Sequence, residues 1–285
     1  MKNQKQDTTL SSIKQGLNLT GTFLENKVFV ILDQDPTIVT RREEPYSGHT
    51  SESFEGTIDV FASSVVQKNV AVCFCIECKR ANPEQKHWVF EKRVNDTEPL
   101  YYPFDYLYED IHKLNYEKNI FFPSLGYNGM KFFDKGIQVF EFKEVDGQLS
   151  RNQVEKAYNA LLQANEAVSS FIEEPYRIRD LLKESKLPDI LFLPIVVTTA
   201  NLWVQDYKPE NVDLKTGTVA ESNINLEQKD WVHFEFPLPY SLRTRHVLGV
   251  GPVKRPTFIV NSEKISEFFP KLLADCRKYI SGPMG

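Results

Sequence analysis

The sequence EGTIDVFASSVVQKNVAVCFCIECKRAN, at residues 55–82, contains the clearest pattern in the chain. From Val70 to Ile76 the residues are apolar on both alternating faces, which is typical of a strand in the middle of a sheet. An acid and a base, Glu77 and Lys79, then follow together on one face of that strand. An isolated buried charge is costly, so it needs a partner or a metal. The pattern predicts a central strand that ends in a functional site.

A second acid lies on the strand before it. Residues 57–61 read TIDVF around Asp59, and a short polar segment at 67–69 indicates a turn between two antiparallel strands. In a hairpin that turns near residue 68, Asp59 lies opposite Glu77, with the two side chains about 5 Å apart on one face. Two such carboxylates repel each other unless a cation lies between them, and Mg²⁺ prefers one or two protein carboxylates. The spacing therefore favours a magnesium site.

A third acid is predicted on the first helix. Residues 10–32 favour a helix, with an interruption near Gly16 or Gly21. Glu25 shares one stripe of this helix with apolar residues at i+3, i+4 and i+7, namely Val28, Phe29 and Leu32. Because that stripe is expected to face the sheet, it directs Glu25 inward, towards the other two acids.

The remaining elements predict an α/β domain. Residues 37–42 indicate a first strand, residues 151–173 a helix with Ser150 as its N-cap, and residues 189–199 a buried strand. Pro194 inside the last of these indicates a bulge or an edge position. Residues 256–260 suggest a further strand, and Ser262 an N-cap for a closing helix. We expect one domain over residues 1–285, with an aromatic-rich insertion at about 95–145 and a C-terminal extension at about 200–285.

Composition limits the classes of protein. The chain has 34 basic and 39 acidic residues, a net charge of −5, which argues against a general nucleic-acid coat protein. No apolar run reaches the ~18 residues of a membrane span, and the first residues lack the apolar core of a secretory signal. We therefore expect a cytoplasmic protein with no membrane association.

Three cysteines lie within the central strand, at Cys73, Cys75 and Cys78. A metal cluster is one interpretation of this C-x-C-x-x-C spacing. In a strand, however, Cys73 and Cys75 point to one face and Cys78 to the other, so the three thiols do not converge. Buried, reduced cysteines are the favoured interpretation.

The segments LTGTFLENKV (19–28), EGTIDVFAS (55–63) and CFCIECKRAN (73–82) resemble the PD-(D/E)XK, or restriction-endonuclease-like, nuclease superfamily. The resemblance extends over about half of the chain, although Ile58 stands where the proline of the motif would be. It implies a core of helix, three-stranded meander, helix and strand, with a central mixed sheet flanked by helices. It also implies Mg²⁺-dependent hydrolysis of DNA phosphodiester bonds, with Mn²⁺ able to substitute.

The resemblance assigns roles to individual residues. Asp59 and Glu77 would bind the metal with the backbone carbonyl of Cys78, Lys79 would orient or activate the attacking water, and Glu25 would assist. Gln153 is a further assisting residue, since some related nucleases place a glutamine on the second helix. A role in prokaryotic defence or repair is the biological expectation.

Two other segments bear on binding. Residues 241–256 form the most basic window and supply candidate DNA contacts, which are Arg243, Arg245, Lys254 and Arg255; a solvated loop is the alternative. The aromatic insertion either stacks bases or forms a small separate core or a subunit interface. The functional alternative is a catalytically silent subunit of the same fold that binds nucleic acid or protein. Cutting both strands of a duplex would favour a homodimer or a partner subunit.

Overall fold

The computed structural model describes residues 12, 14, 21–47, 55–67, 70–81, 87–91, 102–103, 106–107, 119–120, 125, 139–145, 148–153, 155–173, 189–239 and 254–279. Within these residues the chain is a mixed α/β structure with two larger sheets and three helices, α1 (Thr22–Asp33), α2 (Glu155–Glu173) and α3 (Ile265–Tyr279). The predicted α/β class is therefore confirmed. None of these helices is long and apolar enough to cross a membrane.

The central sheet has the order β1-β2-β3-β10-β16-β15, with β6 also pairing with β10. Its strands are β1 (Val39–Ser47), β2 (Glu55–Gln67), β3 (Val70–Lys79), β6 (Tyr106–Leu107), β10 (Asp189–Thr198), β15 (Trp231–Pro237) and β16 (Lys254–Asn261). Strands β1 to β3 form an antiparallel meander, whereas β10 runs parallel to both β3 and β16. Strands β3 and β10 are buried along nearly their whole length, as their uninterrupted apolar sequences predict.

Pro194 corrects one expectation, because it lies in a central strand and not at an edge or a bulge. On the β3 side it pairs in register with Cys75. On the other side, the described partners of β10 are β6 at Ile190 and Leu191 and β16 from Ile195 onward. A proline cannot donate a ladder hydrogen bond, and Pro194 falls in the gap between these two pairings. The fold thus accommodates a proline inside its core.

Helices cover both faces of the central sheet. On one face, α1 and α3 pack their apolar residues against β2, β3 and β10. The rings of Phe74 and Phe269 meet edge to face there, with their centroids 5.5 Å apart. On the other face lies α2, where the ring of Phe171 packs against that of Phe61 with the centroids 5.2 Å apart. Each fully buried side chain of this size contributes about 1.5–3 kcal/mol. The two layers hold β3 rigidly between them, which fixes the position of the residues at its end.

The start of α2 differs from the sequence-based expectation. The helix begins at Glu155, while residues 148–153 form strand β9 and pair with strand β8 (Val139–Val145). Ser150 and Gln153 therefore lie on a strand, so Ser150 is not an N-cap and Gln153 is not on the second helix. The polar sequence QLSRNQ is compatible with either structure, and the pairing with β8 decides between them. Before α3, the N-cap is Asn261 and not the predicted Ser262. The side chain of Asn261 accepts a hydrogen bond from the N–H of Glu263.

A second sheet, with the order β14-β11-β4-β8-β9, follows the end of the central one. Strand β3 leads into β4 and β10 into β11, and β4 and β11 are again parallel neighbours. Its strands are β4 (His87–Glu91), β8 (Val139–Val145), β9 (Gln148–Gln153), β11 (Asn201–Tyr207) and β14 (Ile224–Lys229). Two small two-stranded antiparallel sheets pair β5 (Tyr102–Pro103) with β7 (Asn119–Ile120) and β12 (Val212–Asp213) with β13 (Thr218–Val219).

Candidate active site

The register of the β2–β3 hairpin agrees with the sequence-based prediction. Val60 pairs with Ile76, and the ladder continues in the same register to Val65, where it shifts before Gln67. Asp59 and Glu77 occupy the next position beyond the Val60–Ile76 pair. The sequence analysis placed the turn near residue 68, and the register of a hairpin follows from the position and length of its turn. The hairpin therefore brings the two acids side by side.

Glu77 is a buried carboxylate with one unsatisfied oxygen. Its side chain is 3% exposed, and its Oε1 accepts a 2.6 Å ion-paired hydrogen bond from Nζ of Lys79. The other oxygen, Oε2, is buried and has no hydrogen-bond partner within the described part of the chain. Burial, followed by the charge of Asp59, raises the pKa of Glu77 to about 7, while Lys79 opposes the shift. A buried unpaired carboxylate oxygen is costly, so this position requires a partner.

Asp59 is tied to the backbone of the neighbouring strand. Its Oδ2 accepts a 2.6 Å hydrogen bond from the N–H of Cys78, the residue between Glu77 and Lys79. Burial raises the pKa of Asp59, whereas the bond from Cys78 and the charge of Lys79 lower it. The structure thus brings together three residues that the sequence analysis selected, at the end of β3.

Glu25 reaches this cluster from the first turn of α1. The helix begins directly after Gly21, and a Cβ on Gly21 would stand 2.9 Å from Oε1 of Glu25 and 3.8 Å from the carbonyl oxygen of Cys78. A side chain at position 21 would crowd Oε1 of Glu25, so glycine leaves room for that carboxylate. Burial and then the charges of Asp59 and Glu43 raise the pKa of Glu25. The predicted inward direction of Glu25 is confirmed.

Glu43 is an acid of this cluster that the sequence analysis missed. It lies on β1 between Arg42, which pairs with Val60, and Glu44, which pairs with Ile58, so it faces the position of Asp59. Its backbone has φ +50°, the one non-glycine positive φ of the described residues. Such strained backbone is concentrated at functional sites. Only the β1–β2 register could have revealed Glu43, because its own segment, RREEP, shows no periodicity.

Strand β2 is also distorted at the site. Ile58 belongs to the core on the α2 face, whereas Val60 belongs to the core on the face of α1 and α3. Residues two apart in a regular strand share a face, so the strand twists at Asp59. This twist and the positive φ of Glu43 occur at the same level of the sheet.

A buried polar contact lies beside Glu77 on the α2 face. Oη of Tyr46 donates to Oε2 of Glu166 at 3.4 Å, and both residues are buried. Burial raises the pKa of Tyr46 strongly, and the charges of Glu166 and Glu77 add to the effect. The ring of Tyr46 fills the space where a Cβ on Gly56 would stand. Glu166, not Gln153, is therefore the polar residue that α2 directs towards this region.

The structure describes two of the four residues that were predicted to contact DNA. Arg255 is 1% exposed, and its guanidinium donates to the backbone oxygen of Asn165 at 2.8 Å and to Oγ of Ser169 at 3.1 Å. It is part of the core between β16 and α2 and cannot reach a phosphate, so its assignment as a DNA contact is wrong. Lys254 begins β16, and residues 243 and 245 lie outside the described part of the chain.

The cysteines follow the favoured interpretation. Cys73, Cys75 and Cys78 are buried and free. Cys73 and Cys75 belong to the core on the α2 face, and Cys78 belongs to the core on the opposite face. Burial raises the pKa of each of these thiols. The three side chains do not converge, so they form no metal cluster.

The fit of a divalent cation can be judged from the donors present. Within the described ranges, no three His, Cys, Asp or Glu side chains are grouped closely enough to hold a metal ion. Mg²⁺ does not require such a group, because it takes one or two carboxylates and fills its other positions with water and phosphate. The unsatisfied Oε2 of Glu77, whose carboxylate lies within electrostatic reach of Asp59, is the kind of oxygen donor that it prefers. The carboxylates of Asp59 and Glu77 have the donor chemistry that Mg²⁺ prefers.

Comparisons with known proteins add no relative. No protein-family model matches this chain, and neither the curated proteins nor the solved structures yield a significant match.

Proposed function

We propose that this chain is a Mg²⁺-dependent nuclease that hydrolyses DNA phosphodiester bonds at a site formed by Asp59, Glu77 and Lys79, with Glu25 assisting. The observation that carries the proposal is the buried Glu77, which has one oxygen paired with Lys79 and the other unpaired. If Glu77 and Lys79 formed only a structural ion pair, the unpaired oxygen of Glu77 would contribute no stability. Burying that oxygen without a partner costs free energy. A site that receives a cation explains this cost.

The order of elements supports a restriction-endonuclease-like core. Helix α1 is followed by the β1–β3 meander, and α2 precedes β10, which pairs in parallel with β3. This is the helix, three-strand, helix and strand order that the PD-(D/E)XK resemblance implies. The segments between β3 and α2, and those after β10, are then additions to that core.

Each residue has a distinct task in the proposed reaction. Asp59, Glu77 and the carbonyl of Cys78 would hold Mg²⁺, which lowers the pKa of bound water and neutralises charge on the scissile phosphate. Lys79 lies two residues from Glu77 on the same strand, where its ammonium group can stabilise negative charge that develops on the phosphate. Glu25 would bind a water of the metal through Oε1, which lies near the Cys78 carbonyl. The buried strands on both sides of β3 keep these groups in place.

A non-catalytic binding subunit is the second candidate function. The observation that favours it is the pair of exposed apolar side chains on β14, the edge strand of the second sheet, which are Ile224 and Leu226. Exposed apolar clusters mark interaction surfaces. In this case the chain would bind a partner through the second sheet and would not cut DNA.

Cleavage assays separate the two candidates. Supercoiled, linear and single-stranded DNA would be incubated with the wild-type protein and either Mg²⁺, Mn²⁺ or EDTA. We expect metal-dependent cutting that Glu77→Gln abolishes and that the matched change Glu267→Gln, in the exposed Glu267–Lys271 pair, leaves intact. Equal activity of Glu77→Gln and wild type would overturn the proposed site, and absence of cutting on all three substrates would favour the binding subunit.

A further inference from the structure

Arg42 is an exposed cation fixed at the rim of the candidate active site. It lies on β1 and pairs with Val60, the neighbour of Asp59. Its Nη1 donates to Oδ1 of Asn26, and its guanidinium lies 4.9 Å from the centre of the Phe29 ring. An amide oxygen and an aromatic face thus orient the group, and a cation over an aromatic ring gains about 0.5–1 kcal/mol at an exposed site.

The charge of Arg42 is oriented without being neutralised. Its side chain has five N–H donors, and the contacts just described engage one of them. It forms no ion pair with a carboxylate in the described part of the chain, whereas Lys79 is paired with Glu77 at 2.6 Å. The residue is exposed to solvent beside the site. A guanidinium in this state suits a phosphate, which it can bind with two parallel hydrogen bonds.

The location of Arg42 on the site follows from α1. Asn26 comes directly after Glu25, and Phe29 lies four residues beyond Glu25, about 6 Å along the axis. The charge of Arg42 also lowers the pKa of Glu25, so the two groups are within electrostatic reach. The guanidinium therefore lies beside the acidic side chains and not among them.

A nuclease with this site needs such a cation. Glu25, Glu43, Asp59 and Glu77 give the cluster a negative charge, and Lys79 is the ammonium group of the described residues that offsets it from within. A polyanionic strand must approach this cluster, and the chain as a whole carries a net charge of −5. Arg255, the basic residue of the predicted DNA-binding window whose side chain the structure describes, is buried.

We propose that Arg42 binds a phosphate of the nucleic-acid strand next to the scissile phosphate, held in position for that contact by Asn26 and Phe29. This inference rests on the proposed nuclease function and adds the residue that orients the substrate strand.

Binding measurements test Arg42 separately from catalysis. The variant Arg42→Met keeps an unbranched apolar stem over Phe29 and removes the charge. The matched control is Lys271→Met, because the ammonium of Lys271 also lies over an aromatic ring, 5.0 Å from the centre of Trp231. Affinity for a DNA duplex would be measured by fluorescence anisotropy in Ca²⁺ over a series of salt concentrations, and KM and kcat in Mg²⁺.

For Arg42→Met we expect affinity to fall about fivefold to tenfold at roughly 0.1 M salt, and the slope of log K against log salt to fall by about one. KM should change more than kcat, and Lys271→Met should behave as wild type. Arg42→Lys should restore the salt slope without full affinity, because lysine keeps the charge and loses the two-pronged contact.

The outcomes also separate this inference from the proposed function. An unchanged salt slope and KM in Arg42→Met, with a wild type that cuts DNA, would overturn the role of Arg42 alone. A wild type that neither binds nor cuts DNA would overturn both proposals. If thermal melting shows that Arg42→Met is destabilised, the Arg42→Lys variant tests the phosphate contact instead. A slope of log K against log salt as low as that of Arg42→Met would then overturn the contact.

Discussion

Asp59 and Cys78 are joined by a 2.6 Å hydrogen bond in which the carboxylate accepts from the backbone N–H. Cys78 lies between Glu77 and Lys79, so this bond holds the peptide unit that links the two catalytic candidates. Asp59 is thus an acceptor that fixes β3, and under the proposed function its charge would also bind the metal. Substitutions can separate these roles.

Asp59→Asn is expected to retain the fold and to lose metal binding. Asparagine keeps an acceptor oxygen for the Cys78 N–H but removes the charge, so unfolding in urea should change by no more than about 1 kcal/mol. Asp59→Ala removes the acceptor as well and should lose a further ~1–3 kcal/mol, because a buried N–H is left unsatisfied. Calorimetry would measure Mn²⁺ binding, and affinity of Asp59→Asn equal to wild type would contradict the metal role.

The stability of the metal-free protein should depend on pH through Glu77. Its pKa is raised from the ordinary 4.5 to about 7 in the folded state, so between these values the folded protein binds more protons than the unfolded chain. The free energy of unfolding should then decrease as pH rises through this window and level off above it. The raised pKa values of Asp59 and Glu25 act in the same direction.

Urea unfolding in EDTA, repeated across this pH window, would measure the effect, and Glu77→Gln should flatten the profile. Metal should bind more tightly as pH rises through about 7, because the cation competes with the proton for Glu77. A wild-type stability that increases with pH across the window would contradict the account of a buried carboxylate.

Glu43 offers a test in which stability and function change in opposite directions. At φ +50° a glutamate is strained, while asparagine tolerates this conformation better. Glu43→Asn should leave the free energy of unfolding unchanged or raise it by up to about 1 kcal/mol. The same change removes a negative charge near Asp59 and Glu25, so Mn²⁺ affinity should fall. A variant that is less stable and binds metal normally would show that Glu43 serves only the fold.

Sequence patterns predicted the parts of the site that depend on local alternation. The apolar residues of β3 indicate a central strand, and the polar turn near residue 68 sets its register against β2, which brings Asp59 beside Glu77. Glu43 and the Tyr46–Glu166 contact could not be predicted in this way, because they depend on the pairing of β1 with β2 and on the rotation of α2 over the sheet. Arg255 was misassigned for a related reason: a basic window does not indicate which side chains are buried.

The start of α2 shows the same limit on the scale of the fold. Residues 148–153 suit a helix as well as a strand, and the ladder with β8 determines their structure. Pro194 was expected at an edge because proline lacks a donor, but the described neighbours of β10 leave a gap at its position. Both differences arise from tertiary contacts that override local preference.

We expect the packing of the Tyr46 ring to require glycine at position 56. The ring occupies the space of a Cβ on Gly56, so Gly56→Ala should overpack this buried contact and lose about 1–3 kcal/mol of stability. In a double-mutant cycle the loss should shrink when Tyr46 is also alanine, with a coupling of about 0.5–3 kcal/mol. Urea unfolding of the four proteins would give this coupling. A value of zero would show that the glycine is needed for another reason.

The most direct test of the central claim is metal-dependent DNA cleavage by Lys79→Ala beside its matched control Lys271→Ala. Both lysines form a 2.6 Å ion pair with a glutamate, but only Lys79 lies at the proposed site. The account predicts that wild type and Lys271→Ala cut DNA in Mg²⁺, and that Lys79→Ala folds normally and does not cut. Cleavage that survives Lys79→Ala at the wild-type rate would contradict it.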